Sequence, residues 1–394
     1  MTPLRLVLVT RQYWPMLGGA QVVMGSLAHE LRRRGADVTV LTARWQPQWP
    51  EALDQRGIRV RRLPQPNVRF WGTWRYLRAL RRWLRAHRGQ YDLVYVSMLK
   101  HDAYAVLGAV DAGRVPVVLR PELTGPLGDV RWQATANFGR LIRRRTLRAT
   151  AAVAITPQAR DELVAAGFAA ERIFEIPNGV EVPPPRTEHD RQAARAELAE
   201  AHPQLAIPSQ SPLAVYTGRL HASKGLADLV AAWPAVLTRF PEARLWLVGD
   251  GPQRAELVQQ IAALNLSGRV TLTGRFDTVR DFLLAADLFV LPSYEELMSM
   301  SLLEAMAAGL PVVASEIYAN RHLIVHGTHG LLAPHDPGAL AARVVDLLSR
   351  PDRGAKLAAA ARQRVLDHFS LAKIGAQHLK LFEQLVAQAQ TPRS

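Results

Sequence analysis

Short runs of almost wholly apolar residues recur along this chain, each parted from the next by a stretch with helical spacing, and the rhythm plays through twice. Residues 6–9, 38–41, 93–96, 115–119 and 152–155 make the first set. Residues 213–217, 244–248, 270–272, 288–291 and 312–313 make the second. A strand of four or five residues with no polar alternation has to be covered on both faces, which a parallel sheet between helical layers provides. Helices are expected at 22–34, with Gly35 as a stop, and at 225–239 and 253–264.

Between the two sets lie the turn signal Asn178-Gly179, three consecutive prolines, Pro183 to Pro185, and a polar helical stretch to about Ala201. A chain of 394 residues is too long for one core. The expected organisation is therefore two doubly wound α/β domains, 1–182 and 183–370, followed by a tail, 371–394. The tail places Ile374, His378, Leu379, Leu381, Phe382, Leu385 and Val386 at helical spacing, so it should be an amphipathic helix packing back on the body.

Apolar residues make up 48% of the chain and mean hydropathy is close to zero, as in a folded globular protein. There is no cysteine, which excludes disulfides and thiolate metal sites and suits a reducing cytoplasm. The opening apolar run stops at Thr10-Arg11 with no small-residue cleavage site, so it reads as a buried first strand rather than a signal peptide. No uncharged apolar stretch approaches the roughly 18 residues of a membrane span.

Charge is unevenly placed. Residues 1–180 hold 28 Lys+Arg against 13 Asp+Glu, and the remainder 21 against 21, so the whole +15 lies in the first half. That asymmetry points to an anionic partner for the first half, against the alternative of a solvated basic face. In residues 74–88, Tyr76, Leu77, Leu80, Trp83 and Leu84 share one helical face and Arg75, Arg78, Arg81, Arg82, Arg85 and Arg88 the other. Such a helix can lie on an anionic membrane. A doubly wound fold needs helices of this kind to cover its sheet, and that use of the apolar face is favoured. Arg140, Arg143, Arg144, Arg145 and Arg148 extend the basic surface.

Candidate chemistry concentrates in the second half. In 292–311 an apolar strand leads through a polar loop into a helix that stops at Gly309, with Pro311 beyond. Ligands bind at such strand-to-helix loops, and the amides of Leu297, Met298, Ser299, Met300 and Ser301 would favour a diphosphate there. Read structurally, Ser301 and Glu304 fit a capping box in which Glu304 only closes the helix start. A second segment, Thr217, Gly218 and Arg219 through Lys224 and Gly225, sets two cations in a glycine-bounded turn. Fixed cations there could stabilise a departing diphosphate without metal, although an ordinary solvated turn reads the same way. Val248 to Pro252 contains Gly249-Asp250-Gly251, but Arg254 stands where a dinucleotide fingerprint needs its third glycine.

The 292–313 segment resembles the signature of glycosyltransferase family 4: Glu296 and Glu304 with seven residues between them, then Ala305-Met306-Ala307, then Gly309-Leu310-Pro311-Val312-Val313. The Gly218-Arg219 and Lys224-Gly225 turn resembles the same family, and the likeness runs in order across nearly the whole chain. It implies the GT-B fold, two Rossmann-like domains facing a cleft, with donor on the second and acceptor on the first. It implies a retaining transferase acting on a nucleotide-diphosphate sugar. Arg219, Lys224 and Glu296 would be catalytic, with Glu296 accepting from donor-sugar hydroxyls and Glu304 from the ribose. The Gly18-Gly19 loop would face the diphosphate. Gly218 and Gly249 would wall the donor pocket, and Arg275-Phe276 would fall where relatives hold the base.

Two departures stand out. Leu297-Met298-Ser299 replaces the family's Gly-Phe-Gly, which reduces access to positive φ, so no donor sugar is carried over. The histidine that relatives often carry after the strand near 115–119 is absent, which leaves Glu122, or Lys100 and His101, as acceptor-side candidates. No Asp-x-Asp occurs, so metal independence is expected and no cofactor beyond the nucleotide sugar. The expected reaction is hexose transfer to a glycan or lipid-linked acceptor, in the cytoplasm or peripherally on the inner membrane face. A nucleotide-sugar epimerase of the same architecture is the alternative. A basic nucleic-acid-binding protein is a remoter one, because no groove-reading motif or aromatic platform is present.

Overall fold

In a computed structural model of the chain, residues 3–16, 18–66, 68, 70–125 and 128–391 are described. The chain folds as two compact units, residues 1–179 with 371–394, and residues 180–370.

The first unit is built on eight strands: β1 (Arg5–Val9), β2 (Asp37–Arg44), β3 (Ala52–Gln55), β4 (Ile58–Pro64), β5 (Leu93–Ser97), β6 (Val117–Arg120), β7 (Ala151–Ala154) and β8 (Ile173–Glu175). Their order is β3-β4-β2-β1-β5-β6-β7-β8, parallel except that β3 runs against β4. Alternate residues of β1 enter different cores. Leu6 and Leu8 pack with Met24, Leu27 and Leu31 of the helix Gly19–Arg33. Val7 and Val9 pack with Tyr76, Leu80 and Leu84 of the helix Trp71–Ala86. The sheet is thus covered on both sides, which is why its inner strands carry no polar alternation. The outer strands β3, β4 and β8 fall outside the runs picked from the sequence. In β4, Ile58 and Val60 are buried while Arg59 and Arg61 are exposed, so a one-sided strand replaces the continuous apolar signal.

The helix Leu371–Gln390 returns to this first unit; residues 392–394 of the tail lie outside the described residues. Ile374, Leu381, Phe382, Leu385 and Val386 join the Leu6–Leu8 side of the core. Gly375 permits the approach, since a Cβ there would stand 2.3 Å from Glu30 Cγ. His378 is buried, with Nε2 3.3 Å from the Tyr95 hydroxyl and Nδ1 2.9 Å from the Ile374 carbonyl oxygen. Burial pulls its pKa down to about 4.

The second unit has six parallel strands: β9 (Leu213–Thr217), β10 (Arg244–Val248), β11 (Val270–Gly274), β12 (Leu288–Leu291), β13 (Val312–Ser315) and β14 (Leu331–Ala333). Their order is β11-β10-β9-β12-β13-β14. The chain enters this unit at Val180, three residues before the prolines rather than at them. Val180 pairs with Ser370, and its N–H donates to the Phe369 carbonyl at 2.9 Å, so the entering and leaving segments are tied together. The polar stretch after the prolines is the helix Glu188–Ala201, opened by a capping box of Thr187 and Asp190. No described helix is long and apolar enough to cross a membrane.

Candidate active site

In the second sheet the chain runs from β9 outward to β10 and β11, then returns to lay β12 on the other side of β9. Loops leaving the C-terminal ends of β9 and β12 therefore turn to opposite faces and leave a crevice, the place where doubly wound sheets bind ligands. The β9 loop carries Arg219 and Lys224, and the β12 loop carries Glu296. The two loops are locked together. Gly225 has φ +64°, and a Cβ on it would lie 2.1 Å from the Pro292 carbonyl oxygen, so glycine is required twice over. The Tyr294 amide donates to the Ser223 carbonyl at 2.9 Å, and its hydroxyl donates to Asp228 at 2.6 Å.

Across this junction Lys224 Nζ donates to Glu296 Oε1 at 2.7 Å, and Ser293 Oγ donates to the same oxygen at 2.8 Å. The ion pair is partly accessible, with side-chain exposures of 24% for Lys224 and 10% for Glu296. Glu296 Oε2 accepts no hydrogen bond among the described residues, and the lysine ammonium keeps further donors. Ser293 is in turn fixed through its carbonyl, which accepts from the Ser315 hydroxyl, while Asn320 donates to Ser315. Ser293 lies in the 292–311 segment that the sequence marks as the donor loop, and its place three residues before Glu296 is the signal for the contact.

Gly218 and Gly249 stand where the ends of β9 and β10 touch backbone to backbone. A Cβ on Gly249, at φ +146°, would lie 1.8 Å from the Gly218 carbonyl oxygen. The Gly218 amide donates to Val248 and the Gly249 amide to Gly274, at 2.9 and 2.8 Å. Arg219 is held by its main chain, whose carbonyl accepts from the buried Tyr216 hydroxyl at 3.0 Å, while its side chain is exposed. Burial, and then the charge of Glu296, push the Tyr216 phenol well up. Arg275 is exposed; the Phe276 ring lies edge-on to His202 and Phe282, at 5.0 and 4.6 Å, and packs on the core.

The β12 loop also settles two local expectations. Among the described residues, positive φ outside glycine occurs at Arg56, Phe70, Met98 and Asn265, so Leu297, Met298 and Ser299 build their turn without it. Met298 turns into the core at 7% exposure, and Leu297 is half-buried. The capping box at Ser301 and Glu304 does not form. The helix is Met300–Ala307, and its cap is Ser299, whose hydroxyl accepts from the Leu302 amide at 3.3 Å. Met300 and Ser301 expose first-turn amides with no acceptor among the described residues. Glu304 stands inside that helix, where its carboxylate finds no described partner, and burial pushes its pKa up to about 7.

The acceptor-side candidates and the Gly-Gly loop lie in the first unit, around its own reversal between β1 and β5. Gly18, extended at φ 176°, precedes the helix that begins at Gly19, and that helix has no side-chain cap. Lys100 Nζ lies 3.3 Å from the buried Asp129 carboxylate and over the Trp132 ring. His101 meets the same ring at 5.1 Å, and burial followed by the charges of Arg11 and Lys100 lowers its pKa. Glu122 accepts from Arg120 and Ser97, and its amide donates to Asp129 at 2.9 Å. Next to them Asp102, buried against Tyr76 and Arg11, is pushed up to about 6 by burial. In the basic helix Trp71–Ala86, Tyr76, Leu80 and Leu84 are in the core, so its apolar face covers the sheet and is not open to a membrane.

Comparisons with known proteins agree with this layout. Residues 18–179 match the family model described as glycosyl transferase 4-like domain, and residues 211–350 match glycosyl transferases group 1. The chain is 30% identical to 2-deoxystreptamine N-acetyl-D-glucosaminyltransferase of Streptomyces fradiae, over 91% of this chain and 93% of that protein. Among solved structures it superposes on sucrose-phosphate synthase of Thermosynechococcus elongatus with TM-score 0.80 at 23% identity, covering 98% and 99% of the two chains. It superposes on HepE of Anabaena, solved with UDP and glucose, with TM-score 0.74 at 22% identity, covering 96% and 99%. With the GT-B class of fold and both halves of the family pattern in place, the chain belongs to the group 1 glycosyltransferases, family 4, and is a transferase.

Proposed function

We propose that the protein transfers a hexose-type sugar, with retention at the anomeric carbon and without metal, from a nucleoside-diphosphate sugar to a glycan or lipid-linked acceptor. The observation that carries this reading is the Lys224–Glu296 pair at the crevice between β9 and β12. Glu296 offers its unengaged Oε2 to hydroxyls of the donor sugar, held in place because Oε1 is fixed by Lys224 and Ser293. Lys224 and the exposed guanidinium of Arg219 neutralise the charge that builds on the diphosphate as it leaves, the role that a metal takes elsewhere. Glu304 accepts from the ribose, and Gly218 and Gly249 let the donor approach the main chain. Retention supports attack from the leaving group's own face, with a donor phosphate oxygen assisting the acceptor hydroxyl.

The acceptor is assigned to the first unit, where Lys100, His101 and Glu122 follow β5 and β6. The basic excess of residues 1–180 favours an acceptor with an anionic group or one carried at the inner face of an anionic membrane. The test is a thermal-shift screen of UDP-, GDP- and ADP-sugars with EDTA present, followed by product analysis with candidate acceptors. A donor at 100 times its dissociation constant stabilises the fold by about 2.7 kcal/mol. Stabilisation and transfer in EDTA support the reading. A requirement for added metal refutes metal independence, and isomerisation of the donor with no acceptor present refutes transfer.

A further inference from the structure

At the edge of the first sheet where the strands begin, an open pocket of about 370 Å³ lies between the ends of two helices and the loop that leads into β6. Arg88, Arg145 and Arg148 line it, with Gly108 at its base and Asp111 at its rim. Lys100, His101 and Glu122 follow the opposite ends of the strands, so the pocket is separate from the acceptor-side candidates. The three guanidinium groups have no carboxylate partner among the described residues. Asp111 is turned to its own loop, accepting from the Gly113 amide at 3.1 Å and pairing with Arg114 at 3.7 Å.

The arginines are also positioned. Arg145 lies with its guanidinium 3.7 Å from the Tyr104 ring centre, a stacked setting that holds the planar fork in one orientation. Its Nη1 occupies the space a side chain at residue 108 would need, 2.7 Å from a Cβ built on Gly108. Two of the lining carbonyls, which would repel an anion, accept from arginines, Gly108 from Arg85 at 3.1 Å and Ala109 from Arg88 at 3.4 Å. Arg148 follows on the next turn, its amide bonded to the Arg145 carbonyl, and its exposed side chain makes no hydrogen bond or ion pair among the described residues. Three like charges lining one pocket, none of them paired with a described carboxylate, repel one another, and a multivalent anion with several acceptor oxygens relieves that repulsion while matching the guanidinium forks.

We propose that this pocket binds a phosphate group, presented either by a soluble phosphate compound or by a lipid headgroup, at a site separate from the nucleotide-sugar site. Phenylglyoxal modification of the intact chain, read arginine by arginine by peptide mass spectrometry, tests it. The probes are inorganic phosphate, phosphatidic acid vesicles and phosphatidylcholine vesicles. At ten times the dissociation constant of the probe, modification of Arg88 and Arg148 should slow about tenfold. Arg114, whose side chain is 89% exposed beside the pocket, should be unaffected. Protection by inorganic phosphate assigns a soluble ligand, and protection by phosphatidic acid vesicles alone assigns a headgroup. Equal protection of Arg114, or no protection with any probe, overturns the proposal. Gly108→Val keeps every arginine but displaces Arg145 and should weaken protection several-fold. Arg148→Ala should abolish it at Arg88 with transfer and Tm unchanged; persistence at Arg88 in that variant also overturns the site.

Discussion

The two units carry the same device, a sheet whose chain order reverses beside its central strand, yet they treat the charged residues gathered there differently. In the second unit, Lys224 and Glu296 pair with each other while keeping unused hydrogen-bonding capacity, and Arg219 points to solvent. In the first, Lys100 is held by Asp129 and Glu122 by Arg120 and Ser97. A diphosphate is charge-dense and needs fixed cations, so the proposed donor site of the second unit can have its residues set before the ligand arrives. The charges gathered at the first unit's reversal largely satisfy one another, so what that reversal recognises is less evident from the groups it presents.

The sharpest way to break this contrast is at Lys224. Lys224→Ala should lower kcat/KM for transfer by about 10²–10³-fold, the cost of removing one preorganised charge partner. Steady-state kinetics checks it, and a Tm near wild type separates that loss from unfolding. Next comes the junction of the two loops. Gly225→Ala forces a Cβ against the Pro292 carbonyl at a positive φ and should destabilise the second unit by about 2–3 kcal/mol in urea unfolding.

Buried titrating groups sharpen the contrast through opposite pH slopes. Glu304 has a folded pKa of about 7 against an ordinary 4.5. The native state therefore binds the extra proton, and stability from this group is lost as pH rises from about 4.5 to 7. His378 has a folded pKa of about 4 against 6.5, so the unfolded chain binds the extra proton and stability is lost as pH falls from about 6.5 to 4. Each effect is at most about 3.4 kcal/mol. Urea titrations across pH 4–8 should show Glu304→Gln removing the first slope and His378→Phe the second. The smallest expected change is at Lys100. Lys100→Ala should leave donor affinity within about twofold of wild type, read by calorimetry, because no donor contact is assigned to it.

Much of this was legible in the sequence where one physical signal dominated. β9, β10 and β12 are continuous apolar runs because both faces are covered, and their bounds read directly as Leu213–Thr217, Arg244–Val248 and Leu288–Leu291. β4 alternates arginine with aliphatic residues over 58–61, where Arg59 and Arg61 face solvent, which hid it. Spacing alone also fits a cap at Ser301, whereas the helix is capped by Ser299; serine stands at both positions, and only the chain's exit from the strand chooses between them. The meeting of Lys224 with Glu296 spans 72 residues, and no local pattern encodes it; family likeness supplied the two residues and the sheet order explains their contact. Helical spacing announced the helix Leu371–Gln390, but not its return to the first unit, which depends on Gly375 fitting against Glu30.

The most direct test of the donor assignment is a calorimetric dissociation constant for the nucleotide sugar found by the screen, measured on wild type, Glu296→Gln and Glu122→Gln. Loss of the charged acceptor at the second unit should weaken binding about tenfold or more, about 1.4 kcal/mol, while Glu122→Gln leaves it unchanged. Undiminished binding in Glu296→Gln, with weakening in Glu122→Gln, would place the donor on the wrong unit and contradict the account.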